Sequence, residues 1–199
     1  MSNHYYSQNP EVKHNRHIHE VSLRGMPFRF VTDAGVFSKS GIDYGSRVLI
    51  DVLQIDSGSS VLDVGCGYGP IGLTAAKLNN QGQITMIDIN ERAVELAREN
   101  AKLNGISNVT ILQSDIYEAV KDRKFDAIVT NPPIRAGKEV VHRIFEEGYE
   151  LLNQGGSMWV VIQKKQGAPS AEAKLKLLFG DVEEVTKDKG YRIFRAVKE

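Results

Sequence analysis

The stretch from Ser59 to Leu73, SSVLDVGCGYGPIGL, limits the folds open to this chain more than any other. Its Val61-Leu62-Asp63-Val64 is a short apolar run of the kind that makes a buried strand. The run breaks into Gly65-Cys66-Gly67-Tyr68-Gly69, and Pro70 then opens a helical pattern as a natural first helical residue. A strand, a glycine turn and a helix together aim backbone N–H groups and a helix N-terminus at a bound ligand. Glycines let the main chain take positive φ and approach that ligand without a Cβ in the way. Two kinds of ligand sit on such a turn, dinucleotides and S-adenosylmethionine.

Around this stretch the pattern alternates. Before it, Glu20–Arg24 and Phe28–Thr32 read as a hairpin about Gly25-Met26-Pro27, and Gly45–Leu53 has apolar positions at helical spacing. After it come a helix (Pro70–Leu78), a strand (Ile84–Ile89), a helix (Glu91–Asn104), a strand (Val109–Leu112) and a short helix (Ile116–Val120). A strand (Phe125–Thr130), a helix (Lys138–Leu152), a strand (Ser157–Gln163) and a helix (Ser170–Phe179) follow. Alternation of this kind predicts an α/β layer fold with a parallel sheet. The end differs: Val182–Thr186, the turn Lys187–Gly190 and Tyr191–Val197 predict an antiparallel hairpin.

At 199 residues, with 41% hydrophobic and 25% charged residues, the chain is expected to form one domain with a full core. Residues 1–19 read as a polar arm, 20–45 as a hairpin and a site loop, and 46–199 as the catalytic core. His4, His14, His17 and His19 lie in the arm without Cys or acidic partners at ligand spacing, so no metal site is expected. The 25 basic and 25 acidic residues cancel, so any nucleic-acid contact has to come from a local patch. The lone Cys66 forms no internal disulfide and suits a reducing compartment. No apolar run approaches the ~20 residues of a membrane helix, and the N-terminus lacks the apolar core of a signal peptide. A cytoplasmic location is expected.

Gly67-Tyr68-Gly69-Pro70-Ile71-Gly72 matches the dinucleotide fingerprint G-x-G-x-x-G. Asp88, at the end of the next strand, suits the ribose hydroxyls of either ligand. Asp63 separates the two: a carboxylate there opposes a pyrophosphate but favours the ammonium and sulfonium of S-adenosylmethionine. The ligand's carboxylate would then take the N–H groups of the turn. The structural alternative for Asp63 is to cap those same N–H groups. Asp115 can accept from an adenine amine, with Ile89 or Ile116 packing the ring; its alternative is helix capping.

A second motif ends the fourth strand of this series: Asn131-Pro132-Pro133-Ile134. The prolines supply no N–H and fix the backbone. The Asn131 side-chain oxygen and the Pro132 carbonyl can then act as paired acceptors for an –NH2 group, whose lone pair turns toward a methyl donor. Acceptors that bind the charge developing on that nitrogen act chiefly in the transition state. A purely structural Asn-Pro-Pro turn is the alternative.

Taken together, VLDVGCGYGPIG, Asp88, Asp115 and Asn131-Pro132-Pro133 resemble a class I S-adenosylmethionine-dependent N-methyltransferase. Phe30–Ser38, followed by Asp43-Tyr44-Gly45 and an apolar helix, is similar to the 16S rRNA guanine-N2-methyltransferase family, over about residues 20–199. The resemblance implies a Rossmann-like fold: a seven-stranded, mostly parallel sheet with an antiparallel last strand and helices on both faces. It implies methyl transfer to a guanine amine of 16S rRNA, in free RNA or the small ribosomal subunit. The implied catalytic residues are Asn131, Pro132, Pro133 and Ile134. Phe37, Asp63, Gly65, Gly67, Gly69, Asp88, Ile89, Asp115, Ile116 and Asn131 would bind the cofactor.

Longer family members carry a degenerate duplicate domain for which these 199 residues leave no room. Many amino-methylating enzymes also place an aromatic where Ile134 stands, so the base would stack on Phe37 or Tyr44, or pack on Ile134. Arg135 and Lys138 are placed to meet flanking phosphates, with Arg143, Lys164 and Lys165 as weaker candidates. Methylation of a protein glutamine amide, a catalytically silent RNA- or ribosome-binding module, and an NAD-linked oxidoreductase are the rival readings.

Overall fold

The computed structural model describes residues 6–8 and 10–199, so His4 lies outside the described residues. An N-terminal hairpin, β1 (His17–Leu23) and β2 (Met26–Thr32), precedes helix α1 (Tyr44–Val52). Strand β3 (Ser60–Val64), helix α2 (Pro70–Leu78), β4 (Gln83–Asp88), α3 (Glu91–Leu103), β5 (Val109–Gln113) and β6 (Phe125–Thr130) follow. The chain then forms α4 (Lys138–Leu151), β7 (Leu152–Gln163), α5 (Ala168–Phe179), β8 (Glu183–Asp188) and β9 (Tyr191–Val197).

The strand order is β5-β4-β3-β6-β7-β9-β8. β3 to β7 pair in parallel, and β9 runs antiparallel to both β7 and β8. This is the expected Rossmann-like sheet. Both its faces are covered, because alternate residues of the same strands enter different cores. Val61, Val129 and Trp159 pack with α1, α2, α3 and the hairpin, whereas Leu62, Ile128 and Val160 pack with α4 and α5. Among the described residues, no helix is long and apolar enough to cross a membrane.

Several boundaries differ from the pattern reading. β1 begins at His17, inside the stretch read as an arm, because His17 to Glu20 pair with Thr32 to Arg29, with the His19 ring also 3.1 Å from the Thr32 hydroxyl. Ile18 is 60% exposed there, and the inward side of the alternation is fully buried only at Leu23. β7 starts at Leu152 rather than Ser157, with an irregular register opposite Phe125 and Ala127. The helix expected at Ile116–Val120 is a single 3-10 turn, Glu118–Val120, because Ile116 takes a left-handed φ of 49°. α5 starts two residues early, after the left-handed Gly167 and with proline in its first turn. The terminal turn is shorter than expected: only Lys189 and Gly190, at φ 48° and 84°, lie between β8 and β9. Positive φ at both central residues matches the twist of the flanking strands.

Candidate cofactor and acceptor site

Strand order reverses between β3 and β6, and in an open α/β sheet a crevice forms at such a switch point, beyond the carboxyl ends of the strands. Val64 pairs with both Ile87 and Thr130, so the glycine turn and Asn131 leave the sheet side by side. The Thr130 hydroxyl donates to the Val64 carbonyl at 3.0 Å and locks that register. A cavity of about 340 Å³ opens there. Of the residues singled out from sequence, Phe37, Gly65, Gly67, Asp88, Ile89, Asp115, Ile116, Asn131, Pro132 and Pro133 line it. Asp63, Gly69 and Ile134 do not.

The turn is not the free N–H cradle expected. The Gly65 and Cys66 amides both donate to the Ile87 carbonyl at 2.9 Å, and the Gly69 amide donates to the Cys66 carbonyl at 3.1 Å. The Gly67 amide donates to Asp88 Oδ2 at 2.8 Å. Amides so engaged are offered neither to a pyrophosphate nor to the ligand carboxylate expected to take them. A Cβ at Gly65 or Gly67 would meet open space, which leaves the cavity side of the turn free for a ligand. Gly69 acts in packing: a Cβ there would lie 2.9 Å from Leu73, and its φ of 111° starts α2.

Asp63 is 1% exposed behind the turn, where its Oδ2 accepts from the Gly72 amide at 2.9 Å. That is the capping role, not contact with a ligand. Its Oδ1 is buried with no partner among the described residues. Burial pushes the Asp63 carboxyl up to about 7, opposed by the Gly72 amide and reinforced by the Asp88 charge. Burial also lifts Asp88 to about 6, against the amides of Asn90, Gly67 and Ile89. Two such acids side by side favour a cationic ligand over an anionic one.

Ile116 is β-branched and left-handed, an uncommon state held by its neighbours. Ser114 does the holding: its hydroxyl donates to the Ile116 carbonyl at 2.8 Å and accepts from the Ala119 amide at 3.0 Å. Asp115 and Ile116 are thereby set on the cavity wall opposite Ile89. Ser114, rather than Asp115, caps the short turn that follows.

The Asn131 side chain is oriented by two groups the sequence reading missed. Its Nδ2 donates to Asp43 Oδ2 at 3.0 Å and to the Ser46 hydroxyl at 2.9 Å. Asp43 also caps α1 by accepting from the Ser46 amide at 3.2 Å. With both N–H bonds engaged, the Asn131 oxygen is left as an acceptor. A second cavity of about 700 Å³ shares Val36, Phe37, Ser38, Asp43, Asn131 and Pro132 with the first. Ile134, Arg135, Gln163 and Tyr191 line its far side.

Tyr44 lines neither cavity: its hydroxyl donates to Asp188, and its ring lies 5.8 Å from that of Tyr191. The aromatics that share the second cavity with Ile134 are Phe37 and Tyr191, the latter far away in sequence. Lys138 also lines neither cavity, and Arg143 lines the first while pairing with Glu147 at 3.0 Å. Asn100 escaped the sequence reading as well. Fully buried, it exchanges two hydrogen bonds with Val31 and donates a third, of 2.9 Å, to the Tyr68 carbonyl. The 3.6-residue pattern of α3 marks only its buried face, on which an asparagine looks out of place.

A sheet of this order with its glycine-turn crevice defines a Rossmann-like methyltransferase fold. The chain belongs to the methyltransferase small domain family, whose model matches residues 27–195. It is 54% identical over its full length to the uncharacterized protein YbxB of Bacillus subtilis, whose full length is also covered. It is 29% identical to a ribosomal RNA small subunit methyltransferase C of Escherichia coli, over 94% of this chain and 54% of that one. A Thermus thermophilus 16S rRNA N2 methyltransferase, solved with AdoMet and guanosine, superposes with a TM-score of 0.84 at 26% identity. That match covers 96% of this chain and 52% of the other, so the chain spans about half the length of the ribosomal RNA methyltransferases it matches.

The cofactor of this methyltransferase class is S-adenosylmethionine, and the cavity fits it. Open space faces Gly65 and Gly67, the Asp88 carboxylate lines the wall, and Ile89 and Ile116 offer apolar surface to a ring.

Proposed function

We propose that this chain methylates the exocyclic N2 amine of a guanine in 16S rRNA, with S-adenosylmethionine as methyl donor. The observation that carries this reading is the meeting of two cavities at Asn131 and Pro132. One cavity has acids and apolar walls suited to the cofactor; the other opens on the same two acceptors. In this reading residues 46–199 are the catalytic core and 20–45 supply a hairpin and the loop that walls both cavities.

Asp88 holds the ribose, Asp115 the adenine amine, and Ile89 and Ile116 sandwich the ring. Gly65 and Gly67 give the methionine end room, and Asp63 adds negative charge from behind the turn. The bound cofactor supplies an electrophilic methyl group on a sulfonium. Asn131 Oδ1 and the Pro132 carbonyl accept from the two N–H bonds of the guanine amine and stabilise positive charge as it develops on nitrogen. No strong base is needed, since the methylated nitrogen is acidic enough to lose its proton to water. Pro133 stiffens the turn. Ile134 packs beside the base, and Phe37 or Tyr191 offers it an aromatic face. The target nucleotide has to leave its stack to reach this depth, and Arg135 stands where a flanking phosphate would lie.

The relatives' ribosomal RNA names and the guanosine in the Thermus structure support this acceptor. The test supplies labelled cofactor to small ribosomal subunits from a strain lacking this protein. Label released by RNase as N2-methylguanine is the expected result, and cytoplasmic ribosomes would carry it. Label released only by protease would favour a glutamine amide instead; no label despite cofactor binding would favour a silent binding module.

A further inference from the structure

We infer that the β8–β9 hairpin is an RNA-backbone anchor, in which Lys187 and Lys189, together with Lys164, hold phosphates of the single strand whose base enters the second cavity. The inference rests on the proposed acceptor being RNA, and extends it to the surface that binds the strand.

A third concavity, of about 460 Å³, is lined by Lys164, Lys187, Lys189 and Arg192 against Glu184 and Asp188. Both carboxylates are engaged. Glu184 accepts from Arg192 Nε at 2.6 Å, and Asp188 accepts from the Tyr44 hydroxyl at 2.5 Å. The three lysines are exposed, and none makes an ion pair among the described residues. Arg192 also pairs with Glu172 at 2.8 Å, and so in a chain of zero net charge the lysines of this concavity face Asp188 as their one acid not already paired with a cation, an excess of positive charge.

Its place relative to the acceptor cavity is set by backbone. The Lys164 amide donates to the Gly190 carbonyl at 2.7 Å, and the neighbours of these two residues, Gln163 and Tyr191, line the second cavity. A strand with its base beside Tyr191 would lay the adjoining phosphates over the lysines. Lys189 stands in the turn itself. It sits at φ 48°, where a hairpin turn favours Asn, Asp or Gly. Its ammonium lies 4.8 Å from the centre of the Tyr44 ring. That contact holds the ammonium at the tip of the hairpin, on the rim of the concavity.

The test measures binding of a fluorescein-labelled single-stranded RNA by anisotropy across a potassium chloride series. The variants are Lys164→Gln, Lys187→Gln and Lys189→Asn, alone and combined. Each phosphate that is no longer neutralised should flatten the plot of log affinity against log salt by about 0.7, so the triple variant should show a slope shallower by about two. At physiological salt its affinity should fall on the order of tenfold or more. Calorimetric binding of S-adenosylmethionine should stay unchanged. Lys189→Asn should melt no lower than the wild type while binding RNA more weakly, an outcome a purely structural lysine would not give.

A triple variant with the wild-type slope overturns the anchor while leaving RNA methylation standing. A wild-type protein that binds no RNA at any salt concentration overturns the RNA reading itself. Should the triple variant lose cofactor binding, Lys187→Gln alone carries the same test.

Discussion

Asp43 and Ser46 decide which end of the Asn131 amide faces the acceptor. Their oxygens take both Nδ2 hydrogens, and so only the carbonyl end remains available. Removing both oxygens, in Asp43→Ala with Ser46→Ala, frees the amide to flip and present a donor to a donor. Misplacement of a positioning group costs about 10²-fold in rate, so kcat should fall by that order while calorimetric cofactor affinity holds within a few-fold. Ser46→Ala alone, which spares the helix cap, should give a smaller loss in the same direction. A second residue-scale consequence follows from the raised acids. Asp63 and Asp88 have folded values near 7 and 6, above their ordinary unfolded value of about 3.9. Their contribution to stability is therefore fully present below pH ~4 and is lost as pH rises through about 6 to 7. Asp63→Asn should flatten that decline, read as unfolding midpoints across this range. A cationic ligand favours the ionised acids, so cofactor affinity should rise with pH over the same window. Calorimetry in two buffers of different ionisation enthalpy should register proton release.

At the scale of elements, the 36–45 loop joins the two cavities. Its Gly41 carbonyl accepts from the Tyr68 hydroxyl at 2.8 Å and from the Ser38 hydroxyl at 2.6 Å. Tyr68→Phe removes the tie between loop and glycine turn but keeps the buried ring. One hydrogen bond is worth about 1 kcal/mol, so cofactor affinity should weaken about fivefold with little change in melting temperature. The glycine turn and the parallel strands were legible because glycine, proline and buried apolar runs leave few backbone options. The start of β1 was not, because His17–Glu20 are held by pairing rather than by a buried face. Ile116 was misread as helical since nothing in its own side chain announces the left-handed turn that Ser114 imposes. Asp63 was assigned to the ligand because its spacing from the glycines suits either role; only its burial separates them.

Across the whole molecule, sequence distance hid the acceptor side. Arg135 was legible because it follows Asn131-Pro132-Pro133 directly. Tyr191, Lys187 and Lys189 arrive only because β9 inserts between β7 and β8, and a neutral composition cannot show that basic residues outnumber acids in one concavity there. The N-terminal hairpin, outside the main sheet, meets the glycine turn through Asn100 of α3, which grips Val31 on one side and the Tyr68 carbonyl on the other, and through the Phe30 ring, 5.7 Å from that of Tyr68. These contacts make the hairpin a sensor of what happens at the turn. Whatever stiffens residues 65–69 must also slow local opening of β2. Deuterium uptake at the Val31 amide should therefore drop when S-adenosylmethionine is added, and in Asn100→Ala that drop should shrink.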